Sequence, residues 1–475
     1  SDVRIVTGEA VYTENFSVPT APLGDYSEST PAPEPAPAPA QTIARWVVVG
    51  AYLDDDNGSN SGSVYVYDTN NLSAQPTKLT AFDAAESDYF GYSVAATADK
   101  IVVGAINDDD NGSNSGAVYV YDANDISAQP TKLTAFDAAE SDYFSWTVTT
   151  TSDKIFVSTI HDDDNGSNSG AVYVYDANNL SAQPTKLTAF DGAEGDYFGV
   201  SVAATADKII VGASNDDDNA TNSGAVYVYD ANNLSAQPTK LTAFDGAEGD
   251  YFGVSVAATA DKIIVGASND DDNATNSGAV YVYDANNLSA QPTKLTAFDG
   301  AEGDYFGVSV SATNDKIIVG ANADGDKGAY SGSVYVYDAN DLSAQPTKLT
   351  AFDGAEFDQF GRTVAANADK IIVAVEYDDD NGISSGSVYV YDANDLSAQP
   401  TKLTAFDAAA DDAFGSSVAA TDDKIVVGAR NNDDKGRDSG SVYVYDANDL
   451  SATPTKLTAF DGDVTDYFGY SVAVG

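Results

Sequence analysis

The chain has 475 residues, a formal net charge of −52 and 43% hydrophobic content, enough apolar sequence for one large core. It contains no Cys, which excludes disulfides, thiolate metal sites and Cys nucleophiles, and no apolar run approaches the length of a membrane span. So acidic a surface repels nucleic acid and anionic membranes and attracts cations, and neither a nucleic-acid partner nor membrane insertion is expected. No Met occurs, a starting one included, which reads as a processed chain or a fragment, and no signal peptide is visible.

Residues 1–29 stand outside any repeat. The stretch Asp2-Val-Arg-Ile-Val-Thr-Gly-Glu-Ala-Val-Tyr-Thr-Glu-Asn-Phe-Ser-Val-Pro-Thr-Ala-Pro-Leu23 is too short to fold alone. It resembles the last strand and exit segment of a LamG-type, concanavalin-like jelly roll of the kind found in marine phage structural proteins and marine bacterial surface proteins. The resemblance implies an upstream LamG-like domain of carbohydrate-binding type. Residues 30–43 follow as a spacer, Thr30-Pro-Ala-Pro-Glu-Pro-Ala-Pro-Ala-Pro-Ala40, whose composition favours an extended, semi-rigid polyproline conformation.

From 44 to 475 a unit of 54 residues repeats eight times without insertion or deletion. Val-Tyr-Val-Tyr-Asp begins at Val64, Val118, Val172, Val226, Val280, Val334, Val388 and Val442, and a Phe keeps the same period from Phe90 to Phe468. Fixed self-similarity of this length reads as a propeller. The second copy holds four β runs, 91–96, 100–105, 117–122 and 131–136, separated by Ala-Asp, Asp-Asn-Gly, Ser-Gly and Gln-Pro turn chemistry. Val118 and Val120 point one way and Tyr119 and Tyr121 the other, so both faces of the sheet are buried, and Phe90, Tyr119 and Tyr121 are expected in the core. The repeat region opens on a second strand (46–51) and ends on a first strand (468–474), so the C-terminus supplies the missing strand of blade one. The expected fold is all-β: an eight-bladed propeller of four-stranded antiparallel blades, closed by its C-terminal strand.

Strands in a blade alternate in direction, so the loops after strands two and four open on one face. Six of the nine acids in residues 98–151 fall in those loops, which predicts stacked acidic rings there. Lys100 and Lys132, near the starts of strands two and four, are expected towards the opposite face. Solubility in seawater or stronger brine is the plain alternative role for the acids.

Phe90-Gly-Tyr-Ser-Val-Ala95 and Val102-Val-Gly-Ala105, followed by Ile106 in place of a Pro, carry a second resemblance. The unit resembles the FG-GAP repeats of integrin alpha-subunit propellers in all eight copies. Integrin propellers have seven blades and calcium loops between strands one and two. Here that connection is only Thr97-Ala-Asp99, so their calcium site does not carry over. The resemblance implies an extracellular binding propeller whose ligands engage the loops after strands two and four; a virion surface is a second location in view.

Those loops also spell a calcium-like pattern. Asp108, Asp109, Asp110 and Asn111 precede Gly112, with counterparts at Asp216, Asp217 and Asp218, at Asp270, Asp271 and Asp272, and at Asp324 and Asp326. No Glu closes the loop at its twelfth position, and Asp-Asn-Gly is also simply a good turn with solvated carboxylates. Calcium is therefore the one cofactor in view. The positions where blades break their own pattern are the candidate ligand contacts: Trp146, Tyr330, Phe357, Arg362, Tyr377, Arg430, Lys435 and Arg437, because aromatic and Arg residues anchor recognition surfaces. His161 reads as drift from Asn rather than a base, and acid pairs such as Glu140 and Asp142 recur from blade to blade, so no catalytic constellation stands out. Two main readings stay open: an adhesion module binding a glycan or a surface protein, and a structural spacer or decoration domain. A glycan-cleaving enzyme is a weaker third.

Overall fold

The computed structural model describes residues 45–475, together with a short antiparallel ladder pairing Ile5–Val6 with Glu9–Ala10. The spacer and most of the LamG-like segment lie outside the described residues.

The repeat region forms eight four-stranded antiparallel sheets. In blade two the strands are Phe90–Ala96, Lys100–Ala105, Ala117–Asp122 and Thr131–Leu133. Neighbouring first strands pack against one another, which places them along the axis. The third strand explains how blades stack. Tyr119 and Tyr121 join Phe90 and Ile101 in a cluster with Val64 and Val66 of the preceding blade. Val118 and Val120 join the cluster of the following blade, with Phe144 and Tyr173. The period-two pattern of one strand thus supplies both neighbouring cores. Phe90 meets Tyr119 edge to face at 5.3 Å, and both are fully buried; burying one such ring contributes about 2 kcal/mol.

Closure follows the expected phase. Ser471–Val474 pairs with Trp46–Ala51, with Val47 opposite Val474 and Gly50 opposite Ser471. The Gly475 carbonyl accepts from the Arg45 and Trp46 amides at 2.8 Å each. Phe468 then fills the core between blades eight and one as Phe90 does between one and two.

The fourth strand is shorter than its apolar run suggests, ending at Leu133 rather than at residue 136. Beyond it the chain turns towards the next blade, where Phe136, about half exposed, packs edge to face on Tyr173. An outer strand of three residues leaves little free edge for pairing with other chains.

Near the axis the blades approach too closely for a side chain. A Cβ on Gly50 would lie 2.2 Å from the Gly91 carbonyl oxygen. A serine bridges this junction, Ser471 Oγ donating to Gly91 O at 2.8 Å. Equivalent bridges run from Ser93, Ser201, Ser255, Ser309 and Ser417 to the next blade. At the junctions three/four and seven/eight the serine is replaced by Thr147 and Thr363, the glycine by Ser158 and Ala374, and among the described residues no such bridge forms.

Candidate functional site

The loops after strands two and four do meet on one face, where a lysine binds their acids together. Asp108 is buried at the head of its loop, its Oδ1 accepting the Asp110 amide. The Tyr119 hydroxyl has two acceptors for its one proton, Asp108 Oδ2 at 2.9 Å and Asp83 Oδ1 of the preceding blade at 2.6 Å. Lys132 Nζ lies 2.9 Å from Asp83, 2.7 Å from Asp108 and 2.6 Å from Asp110. This corrects the expectation that Lys132 faces away. It pairs across the sheet with Tyr119, and its stem passes over that ring, with Nζ 5.3 Å from the centroid, to reach the carboxylates. Only Lys100 sits at the far end of its strand, opposite Asp122.

Lysines 78, 186, 240, 294, 348 and 402 repeat the arrangement, and Lys456 does so with Asn432 in place of the buried Asp. The calcium candidates are therefore committed donors. Asp108, Asp110, Asp216, Asp218, Asp270, Asp272, Asp324 and Asp326 hold an ammonium. Asp109, Asp217 and Asp271 accept amides within their own loops, from Asn114, Asn222 and Asn276, and Asn111 is exposed at the tip. Asp191, Asp216 and Asp218 bring one oxygen each within 4.8 Å, as do Asp245, Asp270 and Asp272, but Lys240 and Lys294 hold their ammonium groups there. In this arrangement a divalent cation would have to compete with the lysine for the same carboxylates.

Lys240→Met should therefore cost about 3 kcal/mol, since Asp216 would be left buried without its cation. Calcium in the millimolar range should then recover part of the melting temperature beyond a monovalent control of equal ionic strength, and the wild-type protein should show no such excess. An equal calcium response in both proteins would refute the displaced-metal account.

A second ring of carboxyls is protonatable. Asp88 is 3% exposed and accepts the Ala85 amide at 2.7 Å. Burial pushes its carboxyl up to about 6 against that hydrogen bond, and Asp142, Asp196, Asp250, Asp304 and Asp358 behave alike.

The blades differ from one another at the inner edge of this face. One variable position directly follows strand two and is Ser214 or Ser268 in the plain copies; a second lies two residues after the repeating Phe and is Val200, Val254 or Val308 there. In blades seven and eight these positions carry Glu376, Arg430 and Arg362, which converge with Tyr377 on a cavity of about 280 Å3. The Glu376 carboxylate lies 3.6 Å from Arg362 Nη1 and 3.4 Å from Arg430 Nη1. Arg362 also donates to the Tyr377 hydroxyl at 3.0 Å and covers its ring. In blades one to three the same positions carry Tyr52, Ile106, Tyr470, Tyr92 and Trp146, an aromatic arc with ring separations of 4.4–6.4 Å. Burial, with the neighbouring Tyr470 and Tyr467, pushes the Tyr52 hydroxyl up to about 12, while the nearby Arg430 draws it down.

Of the sequence candidates, Arg362, Tyr377 and Arg430 come together and Trp146 belongs to the aromatic arc. Tyr330 and Phe357 form a separate exposed stack at the loop tips, 5.8 Å apart. Lys435 and Arg437 stand exposed on the blade-eight tip, with Arg437 on Asp438. Sequence reading passed over Glu376, Tyr52, Tyr92 and Tyr470. Setting the eight copies in register, column by column, would have exposed them, since their columns are among the few that vary.

Eight identical-length blades around an axis, closed by a strand from the chain's end and diversified on one face, define a closed eight-bladed β-propeller. The FG-GAP repeat model matches residues 43–67, 74–121, 128–175, 182–229, 236–283, 290–337, 344–391 and 398–445. The chain belongs to the FG-GAP repeat family. No curated protein matches it by sequence. Among solved structures, apo AztD from Citrobacter koseri is similar over 91% of this chain and 98% of its own, with a TM-score of 0.50 and 12% identity, a likeness of fold. The β-propeller domain of the Trilobed protease from Pyrococcus furiosus is similar over 72% of this chain and 86% of its own, with a TM-score of 0.42 and 9% identity.

Proposed function

We propose that the chain is a non-enzymatic recognition propeller, displayed outside a cell or on a virion, that binds a glycan or surface protein on the face carrying the loops after strands two and four. The observation that carries this reading is where the blades differ. Eight near-copies keep their opposite-face loops almost unchanged, yet place Arg362, Glu376, Tyr377 and Arg430 around one cavity. Solubility alone would need acids, not paired guanidiniums and an aromatic ring. The buried carboxyls and the lysine clusters recur in nearly every blade, which suits a scaffold and gives no single blade the asymmetry of a catalytic centre. The spacer over residues 30–40 suits presentation at a distance from an upstream LamG-like domain.

Reverting the four residues to the plain copies (Arg362→Val, Glu376→Ser, Tyr377→Asn, Arg430→Ser) should reduce attachment to host cells or to an immobilised ligand at least ten-fold. The melting temperature should stay within about 2 °C, because the plain copies already carry these residues at the same positions without loss of the fold. Unchanged attachment would favour the structural-spacer reading, and polysaccharide cleavage by the wild-type protein would overturn both.

A further inference from the structure

Tyr92 and Trp146 of the aromatic arc border a second, open cavity of about 400 Å3 between blades two and three. Tyr89, Tyr92, Ile106 and Asn107 approach it from blade two and the turn before it, and Tyr143, Trp146 and His161 from blade three. In the plain copies the places of Tyr92 and Trp146 are held by Val200 and Val254, that of Ile106 by Ser214, and that of His161 by Asn215. Four departures from the repeat, spread over about seventy residues of sequence, therefore meet at one point. Independent drift has no reason to converge so.

We propose that this cavity is a subsite for a neutral pyranose unit of a glycan, a refinement that rests on the recognition reading above. The lining holds no carboxylate, lysine or arginine in a chain of net charge −52, so a charged ligand would find no partner inside it. Tyr92 and Trp146 lie 6.4 Å apart and are tilted by 48°, and Tyr52 meets Tyr92 at 89°. They form a splayed wall rather than a box of rings facing one point. A wall of this kind suits the flat C–H face of a sugar ring, whereas a quaternary ammonium calls for an enclosing cage.

Polar groups at the edge supply the second half of the recognition. His161 Nδ1 donates to Asn168 Oδ1 at 2.6 Å, and that amide is oriented by its own bond to Ser167. In the neutral ring this leaves Nε2 to accept. Tyr143 and Trp146 meet the imidazole edge to face at 5.3 and 5.8 Å and fix its plane. An apolar wall with a few fixed polar groups is the general make-up of small-molecule sites, and the volume falls in their usual range of about 300–1,000 Å3.

The test uses the whole chain and a panel of neutral gluco-, manno- and galacto-oligosaccharides, with uronate oligosaccharides and choline chloride as separate arms. The chain has two Trp residues, and Trp46 is nearly buried, so a sugar at this site should shift the emission of Trp146. At least one neutral oligosaccharide should bind by calorimetry. Trp146→Val and Tyr92→Val, substitutions the other blades already carry, should each weaken it at least ten-fold with an unchanged melting temperature. His161→Asn should weaken it several-fold. Equal binding by the Trp146→Val variant would overturn the proposal, as would saturation by choline alone, by uronates alone, or a dimer that Trp146→Val dissolves. If no neutral sugar binds while the reversion in blades seven and eight still abolishes attachment, the subsite fails and the recognition reading stands. If both fail, the recognition reading falls with it.

Discussion

Deleting residues 468–475 should lower stability by about 5 kcal/mol and open the ring. The segment carries Phe468, fully buried between blades eight and one, and the ladder that covers Trp46–Ala51. Losing a buried Phe alone costs about 3–5 kcal/mol, and the inner edge of blade one would lose its partner as well. Thermal melting of the truncated chain should fall by roughly 5 °C, and the exposed edge should promote association. A synthetic peptide of residues 468–475 added in excess should restore part of the loss, because it binds only the folded ring. Truncation without effect would mean that closure does not depend on this strand.

Stability should rise as pH falls from 8 to about 5, and decline again below about 4. The carboxyls of Asp88, Asp142, Asp196, Asp250, Asp304 and Asp358 are pushed up to about 6 by burial, and that of Asp466 to about 7. Between their ordinary value and these raised ones the folded chain holds protons that the unfolded chain has released. The stability they give is thus complete at low pH and is lost as pH rises through 6 to 7. A second set opposes them. Burial also presses on Asp83, but the Tyr119 hydroxyl and the Lys132 ammonium outweigh it and hold the carboxyl below the usual range, with the same pattern at Asp137 and Asp461. Their stabilisation is complete above the ordinary carboxylate value and is lost as pH falls below it. The net charge of −52 adds a repulsion that acid also relieves. At about 1 M salt, where the screening length is about 3 Å, that repulsion is largely removed while buried groups are not. The slope between pH 5 and 8 should therefore survive in high salt, and Asp304→Asn should reduce it by one group's share. A slope that vanishes in salt would assign the whole effect to surface repulsion.

The fold was legible because each copy states the same pattern eight times. Val-Tyr-Val-Tyr-Asp gives strand period, two buried faces and blade spacing together, and the phase of Trp46 against Phe468 gives closure. The outer strand was overextended because Thr134, Ala135 and Phe136 look like more of the same run, whereas Asp137 must cross to Tyr173 of the next blade. The lysine clusters were misread for a related reason. Asp108 and Lys132 are distant in sequence, and only the pairing of Lys132 with Tyr119 turns the ammonium back onto the loops. Local spacing of Asp residues looks like a calcium loop, and the lysine that shares those carboxylates is not local.

The serine bridges near the axis set the mechanics of the disk. They tie blades four to seven into one arc and blades eight, one, two and three into another. The two untied junctions, three/four and seven/eight, are four blades apart and so lie at opposite ends of one diameter. A ring made of two stiff halves bends along that line before it bends elsewhere, since local opening begins where the fewest inner contacts must break. The cavity of Arg362 and Arg430 spans one end of the line, with Thr363, Ala374 and Gly415 in its wall. A ligand bound there would bridge the two arcs and stiffen the disk along that line.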